Sequence, residues 1–262
     1  MNLPYWQRQT ADQPLFPDIE WSKPEQRSRA GKLGIIGGNK LGFAGIAEAY
    51  STALDSGVGE VRVVLPDALR NTLPAAMTDV VYAPSNPSGS LSQDAINDLR
   101  ALGGWSDCLL LIGDAGRNSQ TAIVYSQLLR DYDRPVVITR DAIDLVRNDS
   151  SMIAARHNTM LILSFAQLQK LFRSLYYPKI LTFSMQLMQL VEALHKFTIT
   201  YPITIATLHQ DTLIAAHSGE VATTPWTDPM RIWRGTVAAR ASAYYTWNPE
   251  RPLEALTASL LK

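Results

Sequence analysis

Short apolar runs alternate with amphipathic segments along most of the chain. From Lys32 onward, apolar runs that end at glycine, proline or a polar residue predict strands, because a strand covered on both faces is apolar throughout. The intervening segments carry apolar residues at helical spacing and predict helices. The predicted strands are Leu33–Ile36, Val61–Leu65, Val80–Tyr82, Cys108–Ile112, Val136–Ile138 and Met160–Leu163, and the predicted helices are Ala44–Ser56, Gln93–Leu102, Ser119–Tyr132, Asp141–Val146 and Phe165–Ser174.

The last third of the chain has a different pattern. Its most apolar segment, Thr182–Lys196, predicts a helix whose methionines and leucines face the core. Asp228 and Pro229 suit the N-cap and the first position of a long helix that would reach about Trp247. The other elements predicted here are strands at Thr198–Ala206 and Thr212–Ala216, a turn at His217–Glu220 and a closing helix at about Pro252–Leu261.

Strands that alternate with helices predict an α/β fold with a mainly parallel central sheet and helices on both faces. At 262 residues the chain can bury a large core, and residues 31–262 are predicted to form a single domain. Residues 1–30 are rich in proline, polar and aromatic residues without a period. They are predicted to form an N-terminal arm on the domain or on a neighbouring subunit, anchored by Trp6, Phe16 and Trp21, with a flexible tail as the alternative.

Charge and composition exclude several classes of protein. The chain has 24 Lys plus Arg and 24 Asp plus Glu, so it lacks the basic excess of a nucleic-acid binder. Its apolar runs are shorter than the ~20 residues that cross a bilayer, and its N-terminus has no signal-peptide core. The one cysteine, Cys108, lies in an apolar run and is expected to be buried and inert. We therefore expect a cytoplasmic protein without nucleic-acid or membrane partners.

Two other classes of site find no support in the sequence. The local spacing of the four histidines matches no metal-ligand pattern, so no metal site is predicted. No serine lies in a nucleophile-elbow sequence, so a hydrolase triad is not predicted either.

The segment from Gly31 to Pro66 carries the clearest chemical signal. Gly37 and Gly38 follow a predicted buried strand and precede the helix that begins at Ala44. Glycines in such a turn allow the backbone to approach a ligand, and the N–H groups at the start of the helix favour an anion. The segment therefore predicts a turn that binds an anionic ligand.

Part of this segment, GGNKLGFAGIAEAYSTALDSGVGEVRVV, resembles the signature GGS-x-x-Y-x-GA…ALR-x-GAG-x-V-x-V of the ADP/ATP-dependent NAD(P)H-hydrate dehydratases. In that signature, Asn39, Phe43 and Ile46 stand at the positions of Ser, Tyr and Ala, with one extra residue before Phe43. The resemblance implies a ribokinase-like fold, ADP or ATP as a cofactor and an NAD(P)H-type ligand. It also implies that the nucleotide or substrate is contacted by Gly37, Gly38, Asn39, Phe43 and Gly45.

Two later segments continue the resemblance. LLLIGDAGRNSQT is similar to the family's VIGPGLG…T, with Gly113 and Gly116 at glycine positions and Asp114 in place of the proline. RPVVITRDAIDLV is similar to P-V-V-L-D-A-D-A-L-N-L-L, with Thr139 in place of the first aspartate and Asp141 at the second. The resemblance implies that Gly113, Gly116 and Asp141 line the same ligand cleft.

Several family positions carry other residues. TMLILSFAQLQKLF aligns with v-L-T-P-H-x-G-E-F-x-R-L, so about Ser164 stands at the histidine and Gln167 at the glutamate. ITIATLHQDTLIAA is similar to V-V-L-K-G-x-x-T-V-I-A, with Leu208-His209 near the Lys-Gly that approaches the nucleotide phosphates. This chain therefore lacks both the family's His and Glu and its phosphate-binding Lys-Gly.

The largest departure is at the family's G-[ST]-G-D motif, which supplies phosphate-binding N–H groups and a catalytic aspartate. RIWRGTVAA matches the following V-L-A-G-x-x-A-A and places Arg231 at the aspartate position. Asp228 is the nearest carboxylate and is therefore the candidate catalytic residue. Trp226, Thr227 and Pro229 cannot form a glycine nest, and a carboxylate that caps the helix competes with phosphate for the same N–H groups.

We therefore expect a divergent dehydratase-like protein with a retained nucleotide-type cleft. The family reaction needs a carboxylate to activate a hydroxyl and N–H donors to hold developing phosphate charge, so ADP or ATP should bind weakly and activity should be weak or lost. The alternative is a non-enzymatic scaffold or regulatory subunit that uses the fold to assemble a homo-oligomer. A sugar or vitamin kinase of the same fold would need the same missing groups.

Overall fold

The computed structural model describes residues 3–72 and 77–261, so residues 1–2 of the predicted arm and residues 73–76 and 262 of the predicted domain lie outside it. In the described residues, ten strands form one sheet in the order β1-β10-β9-β8-β7-β6-β5-β2-β3-β4. The bounds of the strands are β1 Trp6–Arg8, β2 Lys32–Gly37, β3 Glu60–Pro66, β4 Val80–Ala83, β5 Cys108–Gly113, β6 Val136–Thr139, β7 Thr159–Leu163, β8 Thr204–His209, β9 Thr212–His217 and β10 Glu220–Pro225.

Seven neighbouring strands are parallel to one another, in the order β4, β3, β2, β5, β6, β7 and β8 across the sheet. Strand β9 pairs antiparallel with both β8 and β10. Ten α-helices accompany them in the described chain. Their bounds are α1 Ala44–Ser56, α2 Ile96–Trp105, α3 Ser119–Asp131, α4 Asp141–Leu145, α5 Ser150–Ala154, α6 Phe165–Ser174, α7 Leu187–Thr200, α8 Pro229–Arg234, α9 Thr236–Trp247 and α10 Pro252–Ser259.

Two apolar layers enclose the sheet. Helices α2 to α7 contribute buried residues to one layer, and α1, α9 and α10 contribute to the other. The predicted α/β class, with a mainly parallel sheet and helices on both faces, is confirmed. All six strands predicted before residue 164 and all five helices predicted before residue 175 are present, with bounds shifted by a few residues and with a 3₁₀ turn at the start of the helix predicted from Gln93.

Cys108 is fully buried, as the apolar run around it predicts. Burial raises the pKa of its thiol, because the thiolate would lose its hydration. The thiol therefore stays protonated and behaves as a small core residue.

The bounds predicted for α7 and β8 were wrong. Helix α7 begins at Leu187 because Gln186 and Gln189 form a capping box there, and it continues to Thr200. The β-branched run Thr198–Thr200 suggested a strand, but Thr198 donates a hydrogen bond to the carbonyl of Leu194 at 2.9 Å inside the last turn. Pro202 follows the end of the helix, and the strand begins only at Thr204.

The long helix predicted from Asp228 to Trp247 is broken. Asp228 caps its start by accepting a hydrogen bond from the Met230 N–H at 3.0 Å, as predicted. At Gly235 the backbone has φ of 93°, and this left-handed residue ends α8 and begins α9. A Cβ at Gly235 would lie 2.4 Å from Cδ1 of Ile112, so the close approach to β5 requires glycine.

The arm contains a strand that was not predicted. Trp6–Arg8 pair in parallel with β10, another strand that was not predicted, and the Trp6 indole donates to the hydroxyl of Thr223 at 2.9 Å. Phe16 is half-buried against the core, but Trp21 is 87% exposed. Trp21 therefore does not anchor the arm to its own chain as expected.

Candidate functional site

The glycine-rich turn lies where the direction of the sheet reverses. Strand β2 lies between β3 and β5 in the sheet. After β2 the chain adds β3 and β4 on one side of it, and it then crosses over and adds β5 and the following strands on the other side. In open parallel sheets, ligands bind outside the carboxyl ends of the strands at such a switch point. Gly37 and Gly113 end β2 and β5 here and are paired with each other.

The two glycines allow the strands to approach each other closely. The Gly38 N–H, in a residue with φ of 88°, donates to the Gly113 carbonyl at 2.9 Å. A Cβ at Gly37 would lie 2.3 Å from the same oxygen, so no side chain fits there. These glycines therefore have a structural role in joining the ends of β2 and β5, whatever ligand lies above them.

Asn39 is also engaged by its own chain. It is buried, and its Nδ2 donates to the Ser88 carbonyl at 3.1 Å and to the Ser90 hydroxyl at 2.5 Å. Its Oδ1 accepts from the Leu41 N–H at 2.9 Å, which closes the turn. Asn39 therefore links the glycine-rich turn to residues 85–91 rather than presenting a group to a ligand.

The side chain of Asp141 is hydrogen-bonded to the backbone of the loop that follows β5. Its carboxylate accepts three hydrogen bonds, from the N–H groups of Asp114 at 2.7 Å, Ala115 at 3.0 Å and Gly116 at 3.1 Å. Successive N–H groups that point into one concavity form a nest for an anion. In this chain the Asp141 carboxylate fills the nest. Gly116 and Asp141 also line a cleft of about 330 Å³, and their role as ligand contacts stays a prediction.

The carboxylate of Asp114 accepts a hydrogen bond at the start of α1 in a similar way. Its Oδ2 accepts from the Gly45 N–H at 2.8 Å, in the first turn of α1, and its Oδ1 accepts from a guanidinium N–H of Arg140. Both side chains of this ion pair are largely buried, with 15% of Asp114 and 22% of Arg140 exposed. An acidic side chain at the start of a helix stabilises it, as an external anion would.

Gly45 leaves the space that Arg140 occupies. A Cβ at Gly45 would lie 1.6 Å from Nη1 of Arg140. That Nη1 is buried and has no hydrogen-bond partner in the described part of the chain. Sequence reasoning missed Arg140, although its signal was present: Asp114 and Arg140 both replace family residues, proline and alanine, and they pair with each other.

Phe43 precedes α1 and is half-buried against the core, and its predicted contact with a ligand stays a prediction. The side chain of Ser164 caps α6 and accepts from the Gln167 N–H at 3.2 Å. The Gln167 amide donates to the Arg140 carbonyl at 2.7 Å and to Asp144 at 3.0 Å. These residues fix the loop after β6 to the start of α6.

Asp144 takes part in the same link. Burial raises the pKa of its carboxyl group, but hydrogen bonds from Gln167 and Lys170 outweigh burial and lower the pKa below its usual value. The Lys170 ammonium lies 3.0 Å from Oδ1. The carboxylate is therefore ionised at neutral pH and supports the loop.

A mainly apolar cavity of about 300 Å³ lies beside Arg140 and Gln167, at the carboxyl ends of β6, β7 and β8. Its size suits a ring system rather than a whole dinucleotide. The cavity is lined by Thr139, Arg140, Ile162, Leu163, Ser164, Phe165, Ala166, Gln167, Phe183, Leu208, Ile232 and Trp233.

Asp228 lies in a different cleft. That cleft, of about 350 Å³, is lined by the arm, the end of β10 and the C-terminal residues 260–261, and none of the glycine-rich residues or Asp141 contributes to it. Arg231 lines the same cleft, with its guanidinium 5.4 Å from the ring centre of Trp226. The structure therefore does not bring the candidate catalytic carboxylate together with the predicted ligand residues.

Within residues 3–72 and 77–261, no group of three or more His, Cys, Asp or Glu side chains is placed to hold a metal ion. In the same residues, no helix is both long and apolar enough to cross a bilayer.

Known proteins share this fold. Across 100% of this chain and 87% of the other, it superposes on a ribokinase-like superfamily protein from Enterococcus faecalis V583 with a TM-score of 0.75 and 14% identity. An ADP/ATP-dependent NAD(P)H-hydrate dehydratase from Bacillus subtilis, co-crystallised with ATP and Mg²⁺, gives a TM-score of 0.62 and 11% identity, with 92% and 84% of the chains covered. These similarities confirm the ribokinase-like fold.

The sequence comparison points to the same group of proteins. Over 149 residues the chain is 26% identical to the bifunctional NAD(P)H-hydrate repair enzyme Nnr of Moorella thermoacetica. The matched segment covers 54% of this chain and 28% of that enzyme. No family model matches the chain. The resemblance to the NAD(P)H-hydrate dehydratases is thus confirmed as that of a divergent relative, and the match spans little more than a quarter of the curated enzyme.

Proposed function

We propose that this chain is a divergent NAD(P)H-hydrate dehydratase-like protein that retains a nucleotide-type cleft but has weak or no ADP/ATP-dependent dehydration activity. One observation carries the proposal: two carboxylates that the family pattern lacks at these positions accept from backbone N–H groups where the resemblance puts phosphate or ligand contacts. Asp114, in place of the family's proline, accepts from Gly45, and Asp228 accepts from Met230.

These internal contacts disfavour a nucleotide phosphate for two reasons. The donors are already paired, so phosphate would have to displace a tethered carboxylate that is present at high effective concentration. Each carboxylate also repels an incoming anion. Pro229, at the start of α8, has no N–H to offer.

The position of the catalytic aspartate supports the same conclusion. The family pattern places it at Arg231, a cation that cannot accept a proton from a substrate hydroxyl. Asp228 is exposed in the cleft beside the arm, away from the glycine-rich turn. Gly116 and Asp141, two of the residues that the resemblance assigns to the ligand, line a cleft of about 330 Å³, and the proposal takes this cleft as the retained one. The apolar cavity beside Arg140 contains none of the residues that the resemblance assigns.

A turnover assay tests this proposal. The full chain is incubated with hydrated NADPH and either ADP or ATP, and the return of the nicotinamide absorbance is followed. We expect a rate at least about 10²-fold below that of an active family dehydratase assayed in parallel, because loss of a preorganised donor alone costs about that much. Turnover at ordinary enzyme rates that Asp228→Ala abolishes would refute the proposal and restore Asp228 as the catalytic group.

The Asp228 cap gives a smaller prediction. Asp228→Asn keeps an oxygen that can accept from the Met230 N–H but removes the negative charge. We expect the variant to bind ATP up to about fivefold more tightly than the unmodified chain, as one removed charge near a phosphate is worth about 1 kcal/mol. Calorimetry on both proteins measures the ratio, and an unchanged or weaker affinity would show that phosphate does not approach this helix.

A non-enzymatic scaffold remains the second candidate. Large apolar side chains are exposed on the connection between α6 and α7, where a partner could cover them. A chain that stays monomeric at all accessible concentrations would speak against this role. We retain a cytoplasmic location as part of the proposal, in keeping with the single buried thiol.

A further inference from the structure

Three cationic side chains line the cleft of about 330 Å³ that contains Gly116 and Asp141. They are Arg117 in the loop after β5, Arg147 in the 3₁₀ turn after α4, and Lys170 of α6. The three segments follow β5, β6 and β7, so the cations meet at the carboxyl ends of neighbouring parallel strands. This site is called the arginine cleft below.

The two carboxylates of the arginine cleft are already paired with other groups. Asp141 accepts from the backbone N–H groups of residues 114–116. Asp144 accepts from Gln167 and from Lys170, whose ammonium lies 3.0 Å from Oδ1 of Asp144. Lys170 and Asp144 therefore largely neutralise each other, and the Asp141 carboxylate is bound by backbone donors rather than by an arginine of the cleft.

The charges of Arg117 and Arg147 are left without a counter-ion. Both side chains are exposed, and neither guanidinium makes a hydrogen bond or an ion pair within residues 3–72 and 77–261. With Lys170 and Asp144 paired, two arginines against the Asp141 carboxylate leave the cleft with a net positive charge. Like charges on one cleft repel each other, so an anion bound between them is favoured.

The start of α3 adds to this preference for an anion. Asn118 and Ser119 line the arginine cleft, and they are the cap and the first residue of this helix of thirteen residues. The N-terminus of a helix carries a partial positive charge. A guanidinium group presents paired N–H donors that match the oxygens of a phosphate. The arginine cleft therefore suits a phosphate group.

The number of unpaired arginines points to a phosphate monoester. A monoester carries a charge of about −1.5 to −2 at pH 7, whereas each phosphate in the diphosphate bridge of a dinucleotide carries one charge. Two guanidinium groups complement the doubly charged group better. An NADP-type dinucleotide carries such a monoester on a ribose, and an NAD-type dinucleotide has a hydroxyl there.

We propose that Arg117 and Arg147 bind the ribose phosphate of an NADP-type dinucleotide, so that the arginine cleft selects NADP-type over NAD-type ligands. This inference rests on the proposed function, which takes the same cleft as the retained one. The cleft is too small for a whole dinucleotide, so the two arginines contact one end of the ligand and determine specificity rather than chemistry.

The test is calorimetry of the full chain with NADP⁺ and NAD⁺, which bind without turnover. We expect NADP⁺ to bind at least about tenfold more tightly than NAD⁺, since each charged contact at an open cleft is worth about three- to fivefold. Arg117→Ala and Arg147→Ala should each weaken NADP⁺ by about that factor and leave NAD⁺ unchanged. The double variant should bind both dinucleotides equally, and its melting temperature should be unchanged because both side chains are exposed and unpaired.

Arg29→Ala is the matched control. The guanidinium of Arg29 is also exposed and makes no hydrogen bond or ion pair in the described part of the chain. Arg29 precedes β2, however, so it lies at the amino ends of the parallel strands, opposite the arginine cleft. Its substitution removes one positive charge from the protein and should leave the preference for NADP⁺ intact.

ATP distinguishes a dinucleotide site from a general phosphate site. We expect ATP to bind more weakly than NADP⁺, and an equal affinity that the double variant abolishes for both would overturn the assignment to a dinucleotide. Equal affinities for NADP⁺ and NAD⁺, or a preference that survives the double variant, would overturn the role of the arginines and leave the proposed function in place. If neither dinucleotide binds, the inference and the retained cleft both fail.

Discussion

Gly37→Ala should destabilise the protein by about 3 kcal/mol, which is a fall in melting temperature of roughly 6–12 °C for a chain of this size. The added Cβ would lie 2.3 Å from the Gly113 carbonyl, and both groups belong to paired backbone in the centre of the sheet. Neither β2 nor β5 can move aside without breaking its other pairings, so the strain cannot relax locally.

Gly42→Ala is the control for this prediction. Gly42 belongs to the same turn, but nothing lies within 4 Å of a Cβ built there. The variant should change stability by less than about 0.5 kcal/mol. Thermal unfolding of both variants, followed by circular dichroism, distinguishes a structural role of Gly37 from a role in ligand binding alone. Equal melting temperatures of the two variants would contradict the structural role.

Asp141→Ala is expected to cost about 2–4 kcal/mol of folding free energy. The substitution removes the acceptor of three N–H groups, and each unpaired donor costs about 1–3 kcal/mol, which water can partly offset at this half-exposed site. Asp144→Ala is the control on the same short helix, because its carboxylate holds two side chains rather than backbone. It should cost about 1 kcal/mol or less.

The Asp141→Ala variant also offers a specific rescue. Removal of the carboxylate opens the nest of residues 114–116, so millimolar phosphate or sulfate should raise the melting temperature of the variant more than that of the unmodified chain. Sodium chloride at the same ionic strength distinguishes binding from screening. An Asp141→Ala variant as stable as the unmodified chain, or one indifferent to phosphate, would show that these hydrogen bonds do not hold the loop.

Most of the sheet could be predicted from the sequence because its central strands are buried on both faces and therefore apolar throughout. The same argument fails at the edges of the molecule. Strand β1 is three residues long, and β10 carries polar side chains, so neither has a continuous apolar run. At Thr198–Thr200, tertiary packing and the capping box at Gln186 outweighed the strand preference of β-branched residues.

The candidate site could be located but not interpreted from the sequence. The glycines and Asp141 follow strands that end at one edge of the sheet, so their proximity could be inferred. The direction of each carboxylate could not, because it depends on the left-handed backbone at Asp114 and Arg140, with φ of 54° and 55°. The break at Gly235 likewise requires the close approach of Ile112, which lies more than a hundred residues away in the sequence.

Calorimetry of ATP with the full, unmodified chain tests the central claim most directly. If the chain's own carboxylates occupy the donors that a phosphate would need, ATP should bind with a dissociation constant in the high-micromolar range or weaker, equivalent to about 4–6 kcal/mol. ADP should behave in the same way. A low-micromolar constant for ATP would show that the phosphate site is open and would contradict the account.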